Sequence, residues 1–173
     1  VREKKIKNTE CVYRLCDMFC LFYLTFISRA QVEKDYWTYH INSPEVNTWM
    51  GLSFENIALN HIDAIKKALR IEGVSTLHYA WRSKTTTPAA QIDMVIERAD
   101  QIVNICEVKY SMEEYDLQKE EYDKLLHRCS AFAKETSLRH TTWPTMITTQ
   151  GLKANSYSQL IPSQITLKDF FIG

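Results

Sequence analysis

Glycine is scarce in this chain, with four residues in 173, at positions 51, 73, 151 and 173. A phosphate-cradling loop of the form G-x-x-x-x-G-K-[ST] cannot be built from those positions, so nucleotide hydrolysis of that type is excluded for this stretch. A surplus of either charge is also missing, since Lys and Arg total 21 against 21 for Asp and Glu. Nothing global therefore draws the chain onto nucleic acid or an anionic membrane, and any such binding has to come from a local patch. The five cysteines, at 11, 16, 20, 106 and 129, are odd in number and contain no C-x-x-C. That usage suits reduced thiols in a cytoplasmic protein and argues against a disulfide framework. Nor do the histidines at 40, 61, 78, 127 and 140 form a zinc-type spacing with each other or with the cysteines. Long apolar runs are absent as well. Arg14 and Asp17 interrupt the one stretch that superficially looks like an export signal, and its uncharged part, Met18 to Ser28, is too short to span a bilayer. No membrane association is expected.

What is present is ordinary globular composition: 45% hydrophobic and 12% aromatic residues, enough for one good core. The expected organisation is an N-terminal helical appendage over residues 1–48, then a domain over 49–173. Apolar residues Val12, Leu15, Phe19, Phe22, Tyr23 and Phe26 recur at spacings of three and four, which predicts an amphipathic helix over 12–27 that needs a covering surface. Self-association through it is one way to cover it. Residues 31–50 read as a connector with a turn at Asn42-Ser43-Pro44 and a short helix near its end. Ser53 is expected to cap a helix running to about Arg70, with Leu52, Leu59, Ile62, Ile65 and Leu69 on its apolar side. Strands are expected over 74–83, 91–97, 102–109 and 145–149. Helices are expected over 113–136 and, capped by Thr166, over 165–171. The fold class is α/β or α+β, with a mixed sheet of about four strands flanked by helices.

The chemistry concentrates in one hairpin. If Gln91–Glu97 and Ile102–Lys109 pair about Asp100, Asp93 faces Glu107, and Lys109 projects from the same face as Glu107 because side chains alternate with period two. Like charges opposed in a sheet repel, so a positive group is expected between the two acids, and a divalent cation would serve. Glu55 stands four residues before Leu59 on the apolar side of its helix and projects toward the sheet. By position alone, an acid in a first turn equally complements the helix dipole.

These residues and the order of elements resemble the PD-(D/E)XK nuclease-like superfamily over roughly residues 50–150. The restriction-endonuclease-like core implied by that likeness is a helix, a three-stranded antiparallel meander, a crossover helix and a fourth strand. Carried over by position, the helix acid is Glu55, the strand acid Asp93 and the Glu-x-Lys motif Glu107-Val108-Lys109, with Gln91 an auxiliary polar group. Ile92 stands where the motif has Pro. The resemblance implies a site for Mg²⁺ or Mn²⁺ on Asp93, Glu107, the main-chain carbonyl of Val108 and Glu55, with Lys109 near the attacking water. The implied activity is hydrolysis of phosphodiester bonds, in DNA first. Tyr13-Arg14-Leu15-Cys16-Asp17, Phe22-Tyr23-Leu24, Gly51-Leu52-Ser53-Phe54-Glu55-Asn56 and the Gln-Ile-Asp hairpin also resemble the C-terminal region of a prokaryotic family of AAA-type ATPases. That likeness implies an effector domain partnered with an ATPase region ahead of it, and no ATP hydrolysis by this stretch. The alternative is an inactive module of the same fold that couples the ATPase to a protein or DNA partner.

Other groups carry blander readings. Tyr36, Trp37, Tyr39 and Trp49 could stack bases but usually such residues pack over a core edge. The basic sets Lys66, Lys67 and Arg70, Arg82 and Lys84, and Lys119, Lys124 and Arg128 could contact a backbone or form solvated faces. Cys16 and Cys20, one helical turn apart, suit small core positions.

Overall fold

The computed structural model describes residues 15–28, 35–137 and 139–171. The chain divides into two compact units, the first ending at Trp49 and the second beginning at Met50. Within the first unit, α1 (Met18–Phe22) continues as a π-helical turn (Tyr23–Ile27), followed by α2 (Tyr36–His40). Asp17 caps α1, its carboxylate accepting from the Cys20 amide at 2.6 Å. Phe22 and Phe26 pack against Trp37 and Trp49, with ring centroids 5.2 to 5.7 Å apart, so these aromatics serve packing. Phe19, Tyr23, Leu24, Tyr39 and both cysteines of α1 and its approach are exposed. The expectation that Cys16 and Cys20 are core residues is thus corrected. Val12, Tyr13 and Arg14 lie outside the described residues.

The helix α3 spans Pro44–Asn60, and its cap lies ten residues before the expected Ser53. Ser43 begins it: its hydroxyl accepts from the Val46 amide at 3.3 Å, its carbonyl accepts from Asn47, and Pro44 follows at the first helical position, where its missing N–H costs nothing. Ser53 is therefore a buried interior residue rather than a cap. A break at His61 leads into α4 (Ile62–Ala68), and Arg70, at φ 57°, ends the helical run.

The second unit holds a five-stranded mixed sheet in the order β1-β2-β3-β4-β5, with β1 Thr76–Arg82, β2 Gln91–Arg98, β3 Ile102–Lys109, β4 Thr141–Thr148 and β5 Ser163–Thr166. The first three strands form an antiparallel meander. Helix α5 (Lys119–Thr136) then crosses over to β4, which runs parallel to β3, and β5 adds parallel to β4. The fold is α+β, as the sequence indicates, with one strand more than expected.

Alternation along the strands feeds two cores. Met94, Ile96, Cys106, Ile147 and Ile165 pack with Phe54, Ala58 and Ile65 of α3 and α4. On the other face Val95, Val103, Ile105 and Met146 pack with Leu125, Cys129 and Phe132 of α5. The α3 contribution comes from Phe54 and Ala58, whereas Leu52 is exposed. A short 3-10 turn, Leu167–Phe170, closes the described chain. Thr166 caps it through reciprocal bonds with Asp169, and Phe170 is buried while Phe171 is exposed, which corrects the latter's expected packing role. No helix among the described residues is long and apolar enough to cross a membrane.

Candidate functional site

Helix α5 and strand β3 build the site together. Leu125, Cys129 and Phe132, at spacings of four and three, anchor α5 on the sheet, and Phe132 meets Trp81 edge to face at 5.3 Å. A neighbouring stripe of the helix, Glu121, Lys124 and Arg128, is thereby laid along β3 just where Glu107 and Lys109 leave the same face as Ile105. These five residues, with Leu117, Leu125 and Met146, line an open pocket of about 180 Å³.

Glu107 is the centre of its electrostatics. One carboxylate oxygen accepts from Lys109 Nζ at 2.9 Å and the other from Arg128 Nη1 at 2.5 Å, and the Glu107 side chain is only 14% exposed. Charge-assisted bonds at that depth are far stronger than the same pairs in open water. Glu121 is bound elsewhere, accepting from the Tyr115 hydroxyl. Burial, then that bond and the nearby carboxylates, push the Tyr115 hydroxyl pKa up, so it stays protonated and keeps donating. Lys124 pairs with the exposed Glu120 at 2.8 Å. Three cationic side chains and two carboxylates line the pocket, and Glu120 offsets the charge of the third cation, Lys124.

The other residues singled out in the sequence lie as follows. Asp93 sits at an irregularity: between the Tyr79–Val95 and Trp81–Ile92 pairs, Ala80 alone stands against Asp93 and Met94. A bulge of this kind re-aims the side chains it contains. Asp93 accepts from Gln91 Nε2 at 3.0 Å, and Gln91 in turn accepts from Arg82 Nη2 at 2.8 Å. The β2–β3 ladder follows the register expected about Asp100 but ends at Met94–Cys106, so Asp93 and Glu107 lie one step past the last pair. Glu55 is half-buried on α3, the helix that packs on the opposite face of the sheet from α5. Val108 pairs with Ile147 of β4, and its side chain joins the α3-side core.

Glu107 and Lys109 are therefore brought together, as are Gln91 and Asp93. Among the described residues, no group of three or more His, Cys, Asp and Glu side chains stands close enough to hold a metal ion. Oxygen donors of the type a hard divalent cation prefers are present, but both oxygens of Glu107 are engaged by cations. As arranged, the residues do not fit a Mg²⁺ or Mn²⁺ centre. Arg128 was named in the sequence only as a member of a basic face. Its signal was available, since it lies three residues beyond Leu125 and one before Cys129, beside the buried stripe rather than opposite it.

No family model and no curated protein matches the chain. A solved structure titled "Crystal Structure of Protein of Unknown Function AF1548" is similar at 17% identity and a TM-score of 0.43, covering 62% of this chain. The match spans about half of that protein's length, 55%.

Proposed function

We propose that residues 49–173 form a nuclease-like domain that acts on the phosphodiester backbone of nucleic acid, DNA in the first instance, at the pocket between β3 and α5. The observation that carries this reading is the Glu107–Lys109 pair at the end of β3, within a meander-crossover-parallel topology, facing a helix that adds Lys124 and Arg128. Lys109 and Arg128 present N–H donors suited to phosphate oxygens, and the guanidinium can engage two at once. Tyr115 restrains Glu121, which keeps that carboxylate from repelling the incoming anion at closest range. The likeness of Gly51–Asn56 and the Gln-Ile-Asp hairpin to ATPase C-terminal regions supports an effector role beside such a partner.

The resemblance implies that hydrolysis would draw on added Mg²⁺ or Mn²⁺, which Glu107 could bind only after releasing one of the two cations it now holds. A second reading, an inactive module that binds DNA or a protein for the ATPase, is favoured by one specific observation, the double engagement of Glu107. A labelled DNA duplex and its single strand, incubated with the protein in Mn²⁺ or in chelator, separate the two. The hydrolytic reading expects cleavage only with Mn²⁺, falling at least about 100-fold in Asp93→Ala, Glu107→Ala and Lys109→Ala variants. Binding in chelator that Lys109→Ala weakens, without cleavage in Mn²⁺, assigns the second reading. Failure to bind either strand form under both conditions sinks the proposal.

A further inference from the structure

Strand β1 lies at one edge of the sheet, with β2 as its neighbour on one side only. The bonds at the two ends of that pairing, from the Ala99 amide to the Ser75 carbonyl and from the Ser83 amide to the Ala90 carbonyl, turn the odd-numbered residues of β1 toward β2. Thr76, His78, Ala80 and Arg82 therefore point their amides and carbonyls outward, and among the described residues these groups have no hydrogen-bond partner. Native sheet edges are usually blunted by shortness, by Pro or Lys, or by a bulge in the edge strand itself. The opposite edge, β5, is four residues long. Strand β1 has seven residues, holds neither Pro nor Lys, and the bulge beside it lies in β2. We propose that this edge is a self-pairing surface, on which two copies of the chain join β1 to β1, antiparallel, about a two-fold axis through Tyr79.

A second copy fits this edge in register, packing and charge. Only residues that both face outward can exchange bonds, and pairing about Tyr79 sets Thr76 opposite Arg82 and His78 opposite Ala80, so every outward amide and carbonyl of the strand is matched. Moving the axis to His78 or Ala80 leaves one end of each strand unpaired. About Tyr79, Leu77, which is 60% exposed, comes opposite Trp81 of the second copy, in the type of pair where side chains stand closest. That tryptophan is already fixed, meeting Phe132 of its own chain at 5.3 Å, and the two-fold axis makes the contact twice. Arg82 is the one Lys, Arg, Asp or Glu in the strand, and it opposes Thr76, so no like charges face each other. The axis runs perpendicular to the sheet, so the α5 helices of both copies lie on one face of a continuous sheet and their pockets open to the same side.

The test needs no nucleic acid. Sedimentation velocity across a dilution series of the intact chain is expected to show a monomer–dimer equilibrium. Leu77→Lys, which puts an ammonium on the edge at an exposed position, should raise the dimer dissociation constant at least about tenfold and leave thermal melting of the monomer unchanged. Phe19→Ser, on the exposed face of α1, should leave the constant within about threefold of native. Register is read in a chain carrying Cys11→Ser, Cys16→Ser and Cys20→Ser. There, mild oxidation should link two copies through Tyr79→Cys, which meets itself on the axis, and not through Leu77→Cys, which lies away from its own counterpart. A monomer at every concentration, a dimer that Leu77→Lys leaves unchanged, a dimer lost in Phe19→Ser, or linkage at Leu77→Cys in place of Tyr79→Cys overturns the proposal.

Discussion

At the scale of single residues, Glu135 ties two segments distant in sequence through five hydrogen bonds. Its carboxylate accepts from the amides of Lys84, Thr85 and Thr86 at 2.7, 3.0 and 2.7 Å and from the hydroxyls of Thr85 and Thr86 at 2.9 and 2.6 Å. These bonds, led by that from the Lys84 amide, hold its pKa down to about 2 from the ordinary 4.5. A carboxylate with a depressed folded pKa contributes stability that is present above its unfolded value and lost as pH falls through the folded one. The tie between the loop after β1 and the end of α5 should therefore be intact at neutral pH and fail between about pH 4.5 and 2. Carboxyl carbon-13 titration of Glu135 should show a midpoint near 2. A midpoint above 4 would show that the carboxylate is not gripped in solution. This contact was illegible in the sequence, because residues 84–86 and 135 are some fifty positions apart and a glutamate near a helix end suggests only solvent. Glu107 and Lys109 were legible together, since period-two alternation places them on one face of any strand. The irregularity at Asp93 was not legible, because nothing in Gln-Ile-Asp-Met announces the extra residue opposite Ala80.

Among the elements, those with undisturbed local patterns were the most readable. Strand β3 has the bounds its alternation suggests, and β2 differs by one residue. Strand β4 begins at Thr141, four residues earlier than expected, because Pro144 looks like a strand breaker. Pro144 is tolerated where β4 pairs with β3 alone: the β5 ladder starts only at Thr145, so no β5 acceptor is left waiting for its missing N–H. Strand β5, four residues long, is too short for a periodicity signal and takes its identity from the neighbour it extends. Helix α5 starts at Lys119 rather than 113, since Tyr115 bridges to Leu152 instead of joining the helix. Its two faces make a sharp comparison. Phe132, 1% exposed, and Leu126, 40% exposed, are both large and apolar and sit on the same helix. Phe132→Ala should destabilise by about 3–5 kcal/mol through lost burial and the cavity left beside Trp81, whereas Leu126→Ala should cost under about 1 kcal/mol. Urea unfolding of both variants checks this, and similar losses would mean that α5 is rotated on the sheet. Such a rotation would also take Arg128 away from Glu107.

For the whole molecule the controlling fact is neutrality, 21 basic against 21 acidic residues. A protein with a broad basic surface binds DNA through many phosphate contacts, and its affinity falls by several orders of magnitude on modest addition of salt. Here the proposed contact surface contains three cations, Lys109, Lys124 and Arg128, two of them already paired to Glu107. At most three phosphates can be neutralised by this set, so the slope of log affinity against log salt should be no steeper than about −2.7, or a fall of about 40-fold between 50 and 200 mM. Replacing Lys109 and Arg128 together should bring the slope toward about −1, since each phosphate contact removed takes away nearly one unit. Anisotropy titrations at four salt concentrations measure both slopes. A native slope steeper than about −5 would require more phosphate contacts than the pocket can make. It would transfer the interface to another basic face, the first candidate being Lys66 and Lys67 at the end of α4 with the adjacent Arg70. A native slope within the limit that the double replacement leaves unchanged would remove the pocket from nucleic-acid recognition. The charge balance of the chain makes the experiment decisive, because no diffuse attraction is available to mask the contribution of three side chains.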